Sequence, residues 1–148
     1  ALALTSDFIV GFPGETDADF RETMKLIDHV GFSGSFSFKY SPRPGTPAAD
    51  LDDQVDEHVK AQRLLALQAL LEDQRIAFNR ATVGKTFDVL FDKPGRQPGQ
   101  MIGRSPWLQA IIVPTASNLV AKILPVRIDE MSNYSLIGTL QGTEAAAA

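Results

Sequence analysis

The sequence of 148 residues changes character near Gly84, and this change limits what the chain can fold into. Before Gly84, short apolar or alternating runs are followed by longer segments of helical periodicity. After it, short β-rich segments follow one another, separated by glycine and proline turns. The first pattern is typical of βαβ units and the second of small all-β barrels or sandwiches. We therefore predict an α/β region at residues 1–81, an all-β region at 82–142 and a disordered tail at 143–148.

In the first region, strand and helix patterns alternate. Residues 6–11 form an apolar run that ends at a glycine and predicts a buried strand. Residues 16–30 begin with a capping-box pattern, carry one apolar face and predict a helix. Residues 34–40 alternate with strand period, and residues 54–81 predict a second helix. This order favours a βαβ unit with parallel strands.

In the second region, four segments have strand character. They are residues 86–91, 109–113, 119–128 and 135–140. Short strands at this spacing indicate a small barrel or sandwich. The stretch around Trp107 is rich in turn residues and is predicted as a turn, where the indole either stacks on an RNA base or packs over the end of the barrel.

The composition excludes several classes of protein. No cysteine is present, which excludes disulfides, thiolate zinc sites, a cysteine nucleophile and an iron–sulfur cluster held by this chain. No apolar run approaches the roughly 20 residues needed to span a bilayer, and the first residues lack the features of a signal peptide. We therefore expect a cytoplasmic protein without a membrane span, whose first residues look like the middle of a strand in a larger protein.

The net charge of −4 is distributed unevenly along the chain. Residues 1–50 carry −3, residues 51–81 carry −2 and residues 82–148 carry +1. An acidic chain disfavours generic nucleic-acid binding, because such binding depends on neutralising phosphates. The last region is thus the most favourable place for an RNA contact, although a solvated surface explains the same charges.

Two loops have the residue types of a ligand site. In residues 11–16, Pro13-Gly14 suits a type II turn, and Glu15 is interpreted as an acceptor for backbone or for a ligand hydroxyl or amine. The negative charge of Glu15 and the missing lysine argue against a phosphate-binding loop. In residues 41–47, three prolines stiffen the chain, and Arg43 either binds a ligand anion or pairs with a nearby carboxylate. Parallel strands would bring both loops to one edge of the sheet, where α/β folds bind ligands.

These segments resemble one family. The run DFIVGFPGET at residues 7–16 resembles the fifth-strand motif of radical S-adenosylmethionine (SAM) methylthiotransferases, and YSPRPGTPAA at residues 40–49 is similar to the loop after their sixth strand. Residues 62–85 are similar to the connector before the family's C-terminal TRAM domain. FDKPGR at 91–96 and GRSPWLQA at 103–110 resemble that TRAM domain in the MiaB family of tRNA-modifying enzymes.

The resemblance covers residues 1–142 and implies a fold. Residues 1–81 would be the C-terminal part of a partial (β/α) radical SAM barrel, with the order βαβα, and residues 82–142 would be a TRAM β-barrel similar to an OB-fold. The MiaB family methylthiolates isopentenyladenosine next to the tRNA anticodon. Sibling enzymes act on threonylcarbamoyladenosine or on a ribosomal-protein aspartate.

The resemblance also implies the chemistry of a longer enzyme. Such an enzyme cleaves SAM reductively at one 4Fe–4S cluster, and the resulting radical abstracts hydrogen from the adenine ring. A second cluster supports sulfur insertion, and a second SAM supplies the methyl group. Because the cysteine motif for these clusters is missing here, this chain alone would be inactive. Its partners would be the N-terminal part of the same enzyme and tRNA carrying isopentenyladenosine.

By the same resemblance, two sets of residues are candidates for binding, while no catalytic residue or metal ligand is expected in this chain. The cofactor set would flank SAM and comprises Gly11, Phe12, Pro13, Gly14, Glu15, Ser41, Arg43, Gly45 and Thr46. The RNA set lies in the TRAM-like region and comprises Arg80, Lys85, Lys93, Arg96, Arg104, Trp107, Lys122 and Arg127.

Two other interpretations stay open at this stage. In the first interpretation, the chain is a free-standing RNA-binding TRAM module with residues 1–81 as a scaffold. The other is a hydrolase or nucleotide-binding α/β fragment built on the glycine turn at residues 11–14, against which Glu15 and the missing lysine weigh.

Overall fold

The structure is a computed structural model that describes residues 2–142. Contacts divide the chain between Phe78 and Asn79, three residues before the predicted boundary. The predicted disordered tail at 143–148 lies outside the described residues. Neither α-helix in the described part of the chain combines the length and apolar character that a membrane crossing requires.

The first unit contains two parallel strands and two α-helices. Its elements are β1 (Thr5–Val10), α1 (Asp17–Val30), β2 (Gly34–Lys39), a short 3-10 helix (Pro47–Asp50) and α2 (Glu57–Arg80), whose last two residues lie beyond the division. The register of β1 on β2 runs from Thr5 opposite Gly34 to Val10 opposite Lys39. The predicted order of strands and helices and the parallel pairing are confirmed.

Local interactions set both ends of α1. At its start, the Thr16 hydroxyl accepts a hydrogen bond from Asp19 N–H at 3.2 Å, and Thr16 N–H donates to the Asp19 carboxylate at 2.9 Å. At its end, Gly31 has φ 70° and donates its N–H to the Ile27 carbonyl. The capping box and the glycine terminator are therefore formed as the sequence predicts.

The core of this unit lies between β1 and the two helices. It is formed by Val10, Ile27, Phe32, Leu67 and Leu71. Side chains alternate along each strand, and the register places Asp7 beside Phe36 and Ile9 beside Phe38 on the opposite face of the sheet. No helix among the described residues of this unit covers that face. Phe36 is 72% exposed and Phe38 57%. We call Ile9, Phe36 and Phe38 the bare face.

The second unit is a closed five-stranded barrel. Its strands are β3 (Thr86–Pro94), β4 (Gln100–Arg104), β5 (Ala110–Pro114), β6 (Ile123–Met131) and β7 (Leu136–Leu140). They pair in the order β3-β4-β5-β7-β6, and β6 pairs with β3 to close the barrel. All pairs are antiparallel except β5 with β7. The predicted small barrel is confirmed, and five strands is the number of an OB-fold.

The barrel differs from the sequence prediction at two strands. The strand β4 is not among the four segments predicted as strands, and its last two residues belong to the stretch around Trp107 that is predicted as a turn. A Cβ at Gly103 would lie 2.7 Å from the Leu90 carbonyl oxygen, so the glycine allows β3 to approach closely. The strand β6 begins at Ile123 rather than at residue 119. Leu119 is 2% exposed and packs into the barrel core, so the preceding loop crosses the end of the barrel.

Candidate cofactor loops and nucleic-acid interface

The loop after β1 contains the predicted type II turn. Gly14 has φ 84°, and Glu15 N–H donates to the Phe12 carbonyl at 2.9 Å. The Glu15 carboxylate accepts the Gly11 N–H at 3.0 Å. The Glu15 side chain thus accepts a hydrogen bond from the backbone, which is one of its two predicted roles. Because the Gly11 amide already has this partner, it is not free for a ligand phosphate.

Arg63 of α2 holds this loop. Its guanidinium donates to the Glu15 carboxylate at 2.6 Å, to the Glu15 carbonyl at 3.0 Å and to the Asp17 carboxylate at 2.7 Å. The Arg63 side chain is 8% exposed. Burial lowers the pKa of Arg63, but its hydrogen bonds to Asp17 and Glu15 raise that pKa above its ordinary value overall. The hydrogen bond from Arg63 lowers the pKa of Asp17, and its positive charge lowers it further.

Lys60, one turn earlier in α2, contacts both loops. A Cβ at Gly11 would lie 2.1 Å from Lys60 Cγ, and Gly11 has φ 72°, so only glycine fits against this lysine. The Lys60 ammonium donates to the Tyr40 carbonyl at 3.3 Å and pairs with Glu57 at 3.1 Å. Sequence reasoning missed Lys60 and Arg63. Their positions precede Leu67 by seven and four residues, so they continue the apolar stripe of α2, which is the signal that could have found them.

The loop after β2 and two residues of the bare face line a cavity of about 470 Å³. Its lining residues are Ile9, Phe38, Tyr40, Ser41, Arg43, Thr46 and Ala48. Three members of the predicted cofactor set, Ser41, Arg43 and Thr46, are therefore brought together. The predicted type II turn is also present, with Gly45 at φ 82° and Thr46 N–H bonded to the Arg43 carbonyl.

The remaining cofactor residues do not line this cavity. Phe12 approaches it through an edge-to-face contact with Tyr40, with 5.3 Å between ring centroids. Gly14 instead donates its N–H to the Asp53 carbonyl at 2.9 Å. The Tyr40 hydroxyl is buried and has no hydrogen-bond partner among residues 2–142. A buried hydroxyl without a partner at a cavity is a position where a ligand atom gains a hydrogen bond.

On the barrel, Trp107 packs edge-to-face on Phe87 with 5.0 Å between ring centroids. The Lys85 ammonium lies 6.0 Å from the centre of the indole ring. The packing role predicted for Trp107 is therefore confirmed. Its side chain keeps partial exposure with a cation beside it, which is the environment of a stacking surface in nucleic-acid-binding proteins.

The cations of the RNA set are mostly not neutralised by carboxylates. Arg104 lies 3.8 Å from Asp92, the closest approach of a guanidinium to a carboxylate in the described part of the barrel. Across residues 2–142, no ion pair is formed by Arg80, Lys85, Lys93, Arg96 or Arg127. Within residues 2–142, a carboxylate therefore approaches Arg104 but none of these five cations.

The charges of the barrel are also separated along the chain. Residues 93–128 contain no aspartate or glutamate and contain Lys93, Arg96, Arg104, Lys122 and Arg127. Residues 80–140 carry seven basic and four acidic side chains, a net charge of +3 in a chain of net charge −4. These cations lie on β3, β4, β6 and the loops that join β3 to β4 and β5 to β6, whereas β5 carries no charge.

No group of three histidine, aspartate or glutamate side chains within residues 2–142 is arranged to hold a metal ion. Residues 80–140 match the family model of the TRAM domain. A TRAM domain suggests RNA binding, in agreement with the positive charge of the same residues.

Proposed function

We propose that this chain is the C-terminal portion of a radical SAM methylthiotransferase of the MiaB family, and that its barrel binds tRNA carrying isopentenyladenosine. The observation that carries the proposal is the order of its parts. A TRAM domain follows a parallel βαβα unit, and the two strand-end loops of that unit have the motifs of this family.

The charge distribution supports RNA as the ligand of the barrel. Arg96 and Arg104 are exposed and lie in the segment without acidic residues, and Arg96 forms no ion pair within residues 2–142. Lys85 and Trp107 together offer a cation and an aromatic ring for an unpaired base. Because the net charge of the matched residues is only +3, binding by this chain is expected to be weak and strongly dependent on salt.

The cavity after β2 supports a small ligand in the first unit. Its volume lies within the range of small-molecule sites, and its lining combines apolar side chains with Ser41, Arg43 and the unpartnered hydroxyl of Tyr40. Such a lining fits SAM, with Arg43 as the partner of a carboxylate. When bound, SAM and the clusters supply the radical, sulfur and methyl chemistry. The clusters require thiolates that this chain does not contain.

Lys60 and Arg63 keep the edges of this site in place. Lys60 binds the carbonyl at the end of β2, and Arg63 binds the loop after β1. Both side chains come from α2, so one helix fixes the two loops of the cofactor set relative to each other. These lysine and arginine residues act as positioning residues rather than as ligands.

Titration of an anticodon stem-loop RNA tests the RNA-binding part. The double variant Arg96→Ala, Arg104→Ala should bind more weakly, with the slope of log K against log salt lowered by about one per lost phosphate contact. A matched double variant on the exposed surface of α1, Arg21→Ala, Lys25→Ala, should leave both quantities unchanged. Equal affinities and slopes for both double variants would contradict RNA binding by the barrel.

A chimera tests the enzymatic part. The chain would replace the C-terminal portion of a MiaB-family enzyme, and tRNA from cells lacking their own enzyme would be analysed by mass spectrometry. We expect the methylthio group on isopentenyladenosine to be restored, and to be lost again in an Arg43→Ala variant. A chimera that folds, carries its clusters and gives no methylthiolation would contradict membership of this enzyme class.

A further inference from the structure

The end of the barrel opposite to the start of β3 contains a cleft between two loops. One wall is the turn that joins β3 to β4, and the other is the loop at residues 115–122 that joins β5 to β6. The volume of the cleft is about 360 Å³, and Met101, which is 4% exposed, lies among its lining residues. We call this the loop cleft.

Both walls of the loop cleft are fixed by backbone hydrogen bonds. Gly99 accepts the Thr115 N–H at 2.8 Å, which joins the two loops directly. On the far side, Ala121 N–H donates to the Phe91 carbonyl at 2.9 Å, and Leu119 anchors the loop in the barrel core. A cleft with anchored walls loses little conformational entropy when a ligand binds.

The polar groups of the loop cleft suit the edge of a nucleobase. Gln100, Thr115, Ser117 and Asn118 line it beside the apolar Met101. The Asn118 oxygen accepts the Val120 N–H at 3.2 Å, which leaves its amide N–H₂ group for a ligand. The side chain of Gln100 makes no hydrogen bond to another described residue. Side-chain amides pair with base edges because each supplies both donor and acceptor atoms.

The charges around the loop cleft suit the phosphates of the same ligand. Lys93 precedes the lining residue Pro94, Arg96 lies within the turn between β3 and β4, and Lys122 follows the lining residue Val120 by two positions. The nearest carboxylate in sequence, Asp92, lies 3.8 Å from Arg104. Cations next to a cleft with side-chain amide groups are complementary to a nucleotide, which has phosphates for the cations and a base edge for the amides.

We propose that the loop cleft binds one unstacked nucleotide of single-stranded RNA, with the base in the cleft and the flanking phosphates on Lys93 and Arg96. This inference rests on RNA binding by the barrel and adds where an unpaired base binds. It predicts a preference for single strands over duplexes, because a base in a helix cannot enter a cleft of this size.

The test fills the cleft without changing its charge. Ser117→Leu places an aliphatic side chain in the cleft, and leucine is chosen because an aromatic side chain would itself stack on a base. Ser132→Leu makes the same change on an exposed residue between β6 and β7 and is the matched control. The probe is a fluorescein-labelled single-stranded RNA of about ten nucleotides, with a duplex of the same sequence as comparison.

We expect Ser117→Leu to weaken single-strand binding about tenfold with an unchanged salt slope, and Ser132→Leu to have no effect. The double variant Lys93→Ala, Arg96→Ala should lower the salt slope by about 1.4, because each single-strand phosphate contact contributes about 0.7. Amide chemical shifts of residues 115–120 should move when RNA is added. Thermal unfolding of both leucine variants shows whether each remains folded. If Ser117→Leu is unfolded, Gln100→Ala is the milder second variant.

Three outcomes would contradict nucleotide binding in the loop cleft. They are unchanged single-strand affinity in Ser117→Leu and Gln100→Ala, equal affinity for duplex and single strand, and shift changes confined to residues around Trp107. In each of these cases the wild-type chain still binds RNA, so the general role of the barrel stands. If the wild-type chain binds neither RNA, both the loop cleft and the RNA-binding function are wrong.

Discussion

The two units of this chain complete their cores to different degrees. In the barrel, β3 to β7 form a closed ring, so every strand has two neighbours and the inward side chains meet one another. In the first unit, β1 and β2 each have one neighbour, and helices cover a single face of the sheet. Among the described residues, the barrel therefore pairs both edges of every strand, while the first unit presents an apolar face and two unpaired strand edges.

The largest difference should appear when the same substitution is made in both units. Phe91 is 0% exposed in the barrel core, whereas Phe36 lies on the bare face. Phe91→Ala should cost about 3–5 kcal/mol of unfolding free energy, because it leaves a cavity. Phe36→Ala should change it by less than about 0.5 kcal/mol. Urea unfolding followed by the fluorescence of Trp107, the single tryptophan, reports the barrel, and far-ultraviolet circular dichroism reports the helices.

A cost for Phe36→Ala similar to that for Phe91→Ala would show that something covers the bare face in solution. Sedimentation of the wild type and Phe36→Ala at several concentrations would then identify self-association as the cause.

The next largest effect concerns the ion pairs of the first unit. Arg63→Met leaves the Glu15 carboxylate, whose side chain is 13% exposed, without its cation and should cost about 2–3 kcal/mol. The matched variant Lys25→Met removes an exposed pair with Glu22 and should cost less than about 0.5 kcal/mol. Thermal unfolding followed by circular dichroism measures both. Equal costs would mean that Arg63 does not hold the loop after β1.

A smaller difference is expected in the protection of backbone amides. Amides of β1 and β2 should exchange about a hundredfold faster than those of β3 and β6, because a two-stranded sheet with free edges opens more readily. Native-state hydrogen exchange on a dilute sample measures this difference. Equal protection in a dilute monomer would remove the contrast between the units.

The smallest effect is the dependence on acid. Hydrogen bonds lower the pKa of four carboxyl groups. Arg63 donates to Asp17, Thr16 to Asp19, Lys39 to Glu57 and Arg75 to Glu72. A lowered pKa in the folded state gives stability that is present above the ordinary values of 3.8 and 4.5 and is lost as the pH falls through the lower folded values. All four groups belong to the first unit. Its helical signal should therefore weaken below about pH 4 before the Trp107 fluorescence changes, and the reverse order would contradict this.

The sequence alone determined the features that depend on neighbouring residues. The capping box at Thr16, the terminator Gly31 and the two type II turns are formed within four or five residues, so their patterns predict them directly. The parallel pairing also followed from the alternation of strand and helix, because a strand–helix–strand connection returns the chain in the same direction.

Only the tertiary structure decided which residues those elements bury. The strand β4 forms because β3 and β5 pair with its two edges, and the pattern of its own five residues does not predict a strand. From the sequence, Lys60 and Arg63 are expected to be charged side chains on the surface of a helix. They are buried, and carbonyl and carboxylate oxygens from distant residues accept their hydrogen bonds. The cavity and the loop cleft likewise join segments that are far apart in sequence. Such contacts depend on long-range packing, which local patterns do not encode.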